Sequence, residues 1–210
     1  MTIVVHGSSA STYGRTCQIT LREKGAKYEV RENAVHTPEQ DAVHPWGKVP
    51  AVTFGDVHLF ETIAITHYAD LTLDGLPLRP TDPEGQARVL QWMSAIADNL
   101  TRSAFPIIIE RLIVPGNGGE PTEAAIEAQK APFSRDIDVF EDALGTNAFL
   151  VGSELSLADL LLLPIIDYMT LTPEGQSKFK ATPRLNAWRT KLMARPAVAA
   201  VLAPELEPTA

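Results

Sequence analysis

The apolar pattern changes its period once along this chain, and the change splits the possible fold into two unlike halves. Up to residue 71, strand-like and helical runs alternate. "TIVVH" is a β-branched strand. "STYGRTCQITLREKG" is a helix with hydroxyl residues at its start and Gly25 at its end. "AKYEVRENA" sets Tyr28 and Val30 against Glu29 and Arg31, the alternation of a half-buried strand. "HTPEQDAVHPWG" is a polar loop. "VPAVTF" and "VHLF" flank Gly55-Asp56, the signal for a tight hairpin. "ETIAITHYADL" places Ala64, Ile65, Tyr68 and Leu71 on one helical face. The order is β-α-β-loop-β-β-α.

"TLDGLPLRPTDPEG" (72–85) carries three prolines and two glycines, which marks a linker. Beyond it the strand signal disappears. Val89, Leu90, Met93, Ile96, Ala97 and Leu100 recur at helical spacing. Ile126, Phe133, Ile137, Phe140 and Leu144 continue on a second helix, which Pro132 is expected to bend or break. "SLADLLLLPIIDYM" and "PRLNAWRTKLMARP" are two more helices. The fold class is α/β plus all-α, with an α/β unit over 1–72, a linker over 73–85 and an all-helical domain over 86–210.

The net charge of -8 and pI near 5.1 disfavour a nucleic-acid partner, because an acidic surface repels phosphate. The single cysteine, Cys17, forbids a disulfide within the chain and a cysteine-rich metal site. His44, His58 and His67 are too scattered for a metal, so no metal is expected. The start of the chain lacks the basic and apolar segments of a signal peptide. "LADLLLLPII" (157–166) is too short to cross a bilayer. A cytoplasmic location without membrane contact is the expectation.

Two features carry chemistry. Most X-Pro bonds are trans, but a cis Val49-Pro50 bond would turn the Val49 N–H and C=O outward, where a peptide backbone could pair with them. Glu61-Thr62 falls where a strand gives way to a helix. There the Thr62 hydroxyl and free helix N–H groups suit a carboxylate, and Glu61 suits an ammonium. A peptide backbone, a carboxylate and an α-amino group together describe a γ-glutamyl peptide.

Residues 46–64, "WGKVPAVTFGDVHLFETIA", resemble the glutathione-site hairpin of the glutathione S-transferases. "LREKG", "RPTDPEGQARVLQWM" and "VGSELSLADLLLLP" resemble further motifs of that family, the last with Ser156 and Asp159 as a helix-capping pair. The tail resembles the phi class and related bacterial forms, and motif order matches over about 190 residues. The resemblance implies a thioredoxin-like first domain, a C-terminal helical bundle and a homodimer.

It also implies site residues. Aligned back from "EKG", Ser11 falls where phi-like members carry the serine that stabilises the glutathione thiolate. Ser9 and Tyr13 are the second and third candidates. His36, Lys48, Val49, Pro50, Glu61 and Thr62 would hold glutathione. Trp46 falls where some classes carry an aromatic that plugs the partner subunit, with a core aromatic of its own domain as the equal alternative. Phe105, Ile109 and Tyr168 would face a hydrophobic electrophile in a pocket between the domains. Glutathione is then a co-substrate, with no further cofactor.

The implied activity is transfer of glutathione to a small hydrophobic electrophile, with peroxidase or ether- and halide-cleaving variants. The alternative is a non-catalytic binding protein of the same fold. A thioredoxin-like reductase needs a Cys-x-x-Cys pair, which the chain lacks.

Overall fold

The first strand, β1 (Ile3–His6), is buried along its whole length, as its β-branched residues require. Helix α1 (Thr12–Glu23) begins at Ser11, whose hydroxyl accepts the Gly14 N–H. It ends at Gly25 with φ 66°. There the Gly25 N–H donates to the Arg22 carbonyl at 2.9 Å and the Ala26 N–H to the Leu21 carbonyl at 2.9 Å. This double closure needs the left-handed backbone that glycine adopts without cost.

Next come β2 (Glu29–Arg31), the single-turn helix α2 (Pro38–Asp41), β3 (Ala51–Phe54), β4 (Val57–Phe60) and α3 (Thr62–Thr72). The sheet order is β2-β1-β3-β4. Strand β2 runs parallel to β1, while β3 and β4 form an antiparallel hairpin across Gly55-Asp56. This mixed sheet is the expected thioredoxin-like arrangement. Ile3 pairs with Phe54 and Val5 with Val52, so their side chains share one face. That face packs with Cys17, Leu21, Ile65 and Ala69 into one core. Burying each large side chain there stabilises the fold by about 1.5–3 kcal/mol.

The structure is a computed structural model whose described residues run from 1 to 203; residues 204–210, the end of the expected helical domain, lie outside them. The chain forms two compact units, one of Met1–Arg79 with the segment from Met193 onward, the other of Pro80–Leu192. Helix α4 (Pro83–Ala95) starts at the Asp82 cap, so the connection is shorter than the 73–85 linker read from the prolines. It continues through a π-helical turn at Ile96–Leu100, α5 (Thr101–Ile108), a second π turn at Ile109–Ile113 and the short α6 (Val114–Gly116). Then follow α7 (Glu123–Leu144), α8 (Leu157–Met169), α9 (Pro173–Phe179), α10 (Pro183–Met193) and α11 (Pro196–Leu202).

Helix α11 belongs to the first unit, not to the helical one. It packs on α1, and Arg195 grips Glu23 through two hydrogen bonds of 2.7 Å. The stretch after α3 is anchored to the same unit. The buried Asp70 accepts from Lys24 Nζ at 3.2 Å, the Leu78 N–H at 2.9 Å and Arg79 Nε at 2.8 Å.

Three expectations from periodicity are corrected. Helix α7 runs unbroken through Pro132, because Ile126, Phe133, Ile137, Phe140 and Leu144 are buried on both sides of it and hold the helix together. Leu90 is exposed; the buried stripe is Val89, Met93, Ile96 and Leu100. On α3, Ala64 and Leu71 are exposed and the buried face is Thr62, Ile65, Thr66 and Ala69.

In the second unit the fully buried Asp159 collects four hydrogen bonds. It accepts from the Leu150 N–H (2.9 Å), the Ser156 N–H (3.0 Å), the Ser156 hydroxyl (2.6 Å) and Trp188 Nε1 (2.8 Å). Asp159→Ala would strand several buried donors, and should cost about 3 kcal/mol or more. Chemical denaturation measures it; a loss below about 1 kcal/mol would show that these donors find other partners.

Candidate functional site

The strand register gathers the chemistry at one end of the sheet. His6 pairs with Ala51, and Ala51 with Phe60. Gly7, Pro50 and Glu61, the next residues along these three chain paths, therefore share that end. Gly7 adopts φ 142°, and a Cβ there would lie 2.9 Å from the Val49 Cβ. Only glycine allows the β1–α1 loop to lie this close to Val49.

The Val49–Pro50 bond is cis. The Val49 N–H and C=O make no hydrogen bond among the described residues. Lys48 and Val49 are held from behind by Gln40, a fully buried side chain whose Nε2 donates to the Lys48 carbonyl at 2.6 Å. Lys48 and His36 are both exposed. His36 has φ 58° and donates its N–H to the Gly47 carbonyl at 2.8 Å, which ties the loop to its own return.

At the start of α3, the residue in the cap position is Glu61, not Thr62. Glu61 has φ 66° and ψ 113°, and no side chain caps this helix. A non-glycine residue in such a conformation costs about 1–3 kcal/mol and collects at functional sites. The Glu61 carboxylate is exposed and makes no hydrogen bond or ion pair among the described residues. Thr62 is buried, and its side chain lies by the Cys17 thiol, whose ionisation it favours against the larger effect of burial.

Ser11 is half-buried at the α1 start, with its oxygen 3.2 Å from the Gly14 nitrogen. That bond uses a lone pair and leaves the O–H free to donate elsewhere. Of the other candidates, Ser9 is exposed and Tyr13 is half-buried. Their main chain or helix position lies in the same loop and first turn.

Two histidines sit near this end. His44 is buried; burial lowers its pKa, the Glu61 carboxylate opposes that, and Lys48 reinforces it. Its ring stacks with Phe60 at 5.2 Å, and Phe60 with Trp46 at 5.7 Å. Trp46 is not a core residue; it is 61% exposed. His6 lies on the opposite face, where its Nε2 bonds the Thr53 hydroxyl at 3.1 Å.

The three residues expected to face an electrophile belong to the second unit. Phe105 is half-buried on α5, Tyr168 half-buried on α8, and Ile109 is 42% exposed in the second π turn. A surface cleft of about 380 Å³ in that unit is lined by Lys130, Phe133, Ser134, Pro173, Glu174, Ser177 and Lys178, and none of the three takes part in it.

Residues missed in the sequence include Gln40, Glu32 and the Lys24–Asp70 pair. Glu32 and the Lys24–Asp70 pair act across 23 and 46 positions, and Gln40 across a loop, so no periodic spacing announces them. No described helix is long and apolar enough to cross a membrane.

The chain matches two family models, the glutathione S-transferase N-terminal domain over residues 4–70 and the C-terminal domain over residues 92–196. It is 32% identical to glutathione S-transferase 1 of Zea mays over 204 residues, 95% of each chain. It is 35% identical to glutathione S-transferase F14 of Arabidopsis thaliana over 159 residues, 74% of this chain and 63% of that relative. Among solved structures it resembles the maize glutathione S-transferase I in complex with an atrazine glutathione conjugate, at 31% identity, TM-score 0.85 and 99% coverage of both chains. The chain belongs to the glutathione S-transferase family, as a phi-like member. Its activity is that of a glutathione transferase.

Cys17 is not the reactive group of this site. It is fully buried, and burial pushes its thiol up to about 12, against the smaller opposing effect of the Thr62 hydroxyl. At pH near 8 it is protonated as well as inaccessible. The folded protein should resist alkylation by iodoacetamide at that pH and take up one equivalent once unfolded in urea. Rapid labelling of the folded state would contradict this burial.

Proposed function

We propose that the first unit binds glutathione across the end of its sheet and that Ser11 donates its hydroxyl proton to the sulfur, holding it as thiolate. The observation that carries this reading is the geometry of Ser11. Its oxygen is fixed by the α1 backbone while its proton remains available, at the positive end of a helix dipole. Free cysteine-like thiols ionise near pH 8.5, so only a few per cent is thiolate at neutral pH. Lowering that value by roughly two units requires about 3 kcal/mol of preference for the anion.

The rest of the tripeptide has matching partners. The unpaired Val49 backbone suits the cysteinyl backbone. The uncapped α3 N–H groups, that of Thr62 among them, suit the γ-glutamyl carboxylate. The free Glu61 carboxylate suits the α-ammonium. Lys48 supplies positive charge and His36 a ring nitrogen for the glycyl carboxylate, and Pro50 fixes the start of β3.

The thiolate then attacks an electrophilic carbon of a small hydrophobic compound. A C–S bond forms, and a leaving group departs with the bonding pair or an activated alkene takes up a proton. Phe105, Ile109 and Tyr168 are the proposed apolar contacts. The atrazine conjugate in the maize relative supports an apolar electrophile. Glutathione serves as co-substrate and no other cofactor takes part. The exposed Trp46 against Phe60 supports a homodimer in which this aromatic step enters the partner, and the protein works in the cytoplasm.

Ser11→Ala should raise the pH at which bound glutathione ionises while leaving its affinity nearly unchanged. Ultraviolet titration of the thiolate measures the midpoint, and identical titrations in variant and wild type would remove Ser11 from the mechanism. Glu61→Ala should weaken glutathione binding by about 1.5–3 kcal/mol, the worth of a charged hydrogen bond. Calorimetry would read this directly, and unchanged affinity would refute the ammonium role.

A further inference from the structure

The peptide groups of Ser9 are held from two sides by charges of opposite sign. Both carboxylate oxygens of Glu32 accept the Ser9 N–H, at 3.0 and 3.1 Å. Arg15 Nε donates to the Ser9 carbonyl at 3.0 Å. These partners come from different elements. Glu32 follows β2, which is locked to β1 by the pairing of Arg31 with His6 and by the Gly7 N–H on the Arg31 carbonyl at 3.0 Å. Arg15 lies on the first turn of α1, with its N–H on the Ser11 carbonyl at 2.8 Å.

The loop between them is short and internally closed. The Ser11 N–H donates to the Ser8 carbonyl at 3.0 Å, and the Ala10 N–H to the Ser8 hydroxyl at 3.1 Å. It also presses on the helix, since a Cβ on Gly14 would lie 2.9 Å from the Ser8 carbonyl oxygen. The loop is therefore closed on itself, and the two charged groups on Ser9 tie it to the end of β2 and to α1. Ser11 is its last residue.

We propose that Glu32 and Arg15 are positioning residues for the Ser11 hydroxyl, clamping the β1–α1 loop so that the hydroxyl meets the sulfur. The proposal rests on the Ser11 reading above. It makes a prediction whose sign separates it from a plain field effect. A carboxylate near the sulfur disfavours the thiolate by charge alone, so removing it would then lower the ionisation pH. Removing the clamp does the opposite, because a hydroxyl that wanders stabilises the anion less.

The test is ultraviolet titration of bound glutathione in Glu32→Ala, Glu32→Gln, Ser11→Ala and the Glu32→Ala/Ser11→Ala double variant, with thermal unfolding alongside. Glu32→Ala should raise the midpoint by about half a unit or more, with kcat falling and KM for glutathione nearly constant. Glu32→Gln keeps an acceptor for the Ser9 N–H and should stay close to wild type. The double variant should shift no further than Ser11→Ala alone, since the clamp acts through that hydroxyl.

A Glu32→Ala midpoint that is unchanged or lower overturns the clamp. So do additive shifts in the double variant. If Ser11→Ala moves the midpoint and Glu32→Ala does not, the clamp fails and the serine reading stands. If neither moves it, both fail. The Ser9 N–H is exposed and water replaces Glu32 there, so the unfolding temperature should change little; a large drop with an unmoved midpoint assigns Glu32 a structural role and overturns the proposal.

Discussion

The pairing of β1 with β3 is the constraint from which the site follows. It aligns His6 with Ala51, and the β3–β4 hairpin aligns Ala51 with Phe60. Three chain paths that are far apart in sequence thereby end side by side. A slip of one residue would turn Val52 and Phe54 out of the core and carry Val49 away from the β1–α1 loop. Burial of Ile3, Val5, Val52 and Phe54 against α1 and α3 is what makes such a slip costly. The core thus fixes where these three chain paths end.

The same end of the sheet concentrates unsatisfied polar groups. Val49 has an unpaired backbone, α3 has an uncapped N-terminus, and Glu61 holds a strained backbone and an unpaired carboxylate. A fold that had only stability to serve would cap the helix and relax Glu61, as it does cap α1, α4 and α9. Helices α7 and α11 also start without a side-chain cap, so what sets α3 apart is the strained Glu61 at its cap position. The Lys24–Asp70–Arg79 cluster and the surroundings of Asp159 are, by contrast, closed off by hydrogen bonds.

Elements with local signals were legible in the sequence. The two halves, the hairpin at Gly55-Asp56, the Ser11 cap and the Gly25 stop all appear where short-range pattern puts them. The placing of Val49 before a strand and of Glu61 and Thr62 at a helix start was legible, because such boundaries are local features. The finer assignments failed where tertiary packing decides. Leu90 and Leu71 are apolar and helical but face outward, since a period-3.6 stripe does not say which edge of the stripe is covered. Helix α7 keeps Pro132 because distant core contacts outweigh one lost hydrogen bond. Helix α11 returns to α1 through an Arg195–Glu23 pair 172 positions apart, and Glu32 reaches Ser9 across 23 positions. No sequence periodicity encodes such contacts.

A crystal structure of this protein with glutathione bound tests the central claim most directly. The account predicts the cysteinyl N–H and C=O paired with the Val49 main chain, and the sulfur within hydrogen-bond reach of the Ser11 hydroxyl. A tripeptide seated away from the end of the sheet, or a sulfur held by Ser9 or Tyr13 with Ser11 turned away, would contradict it.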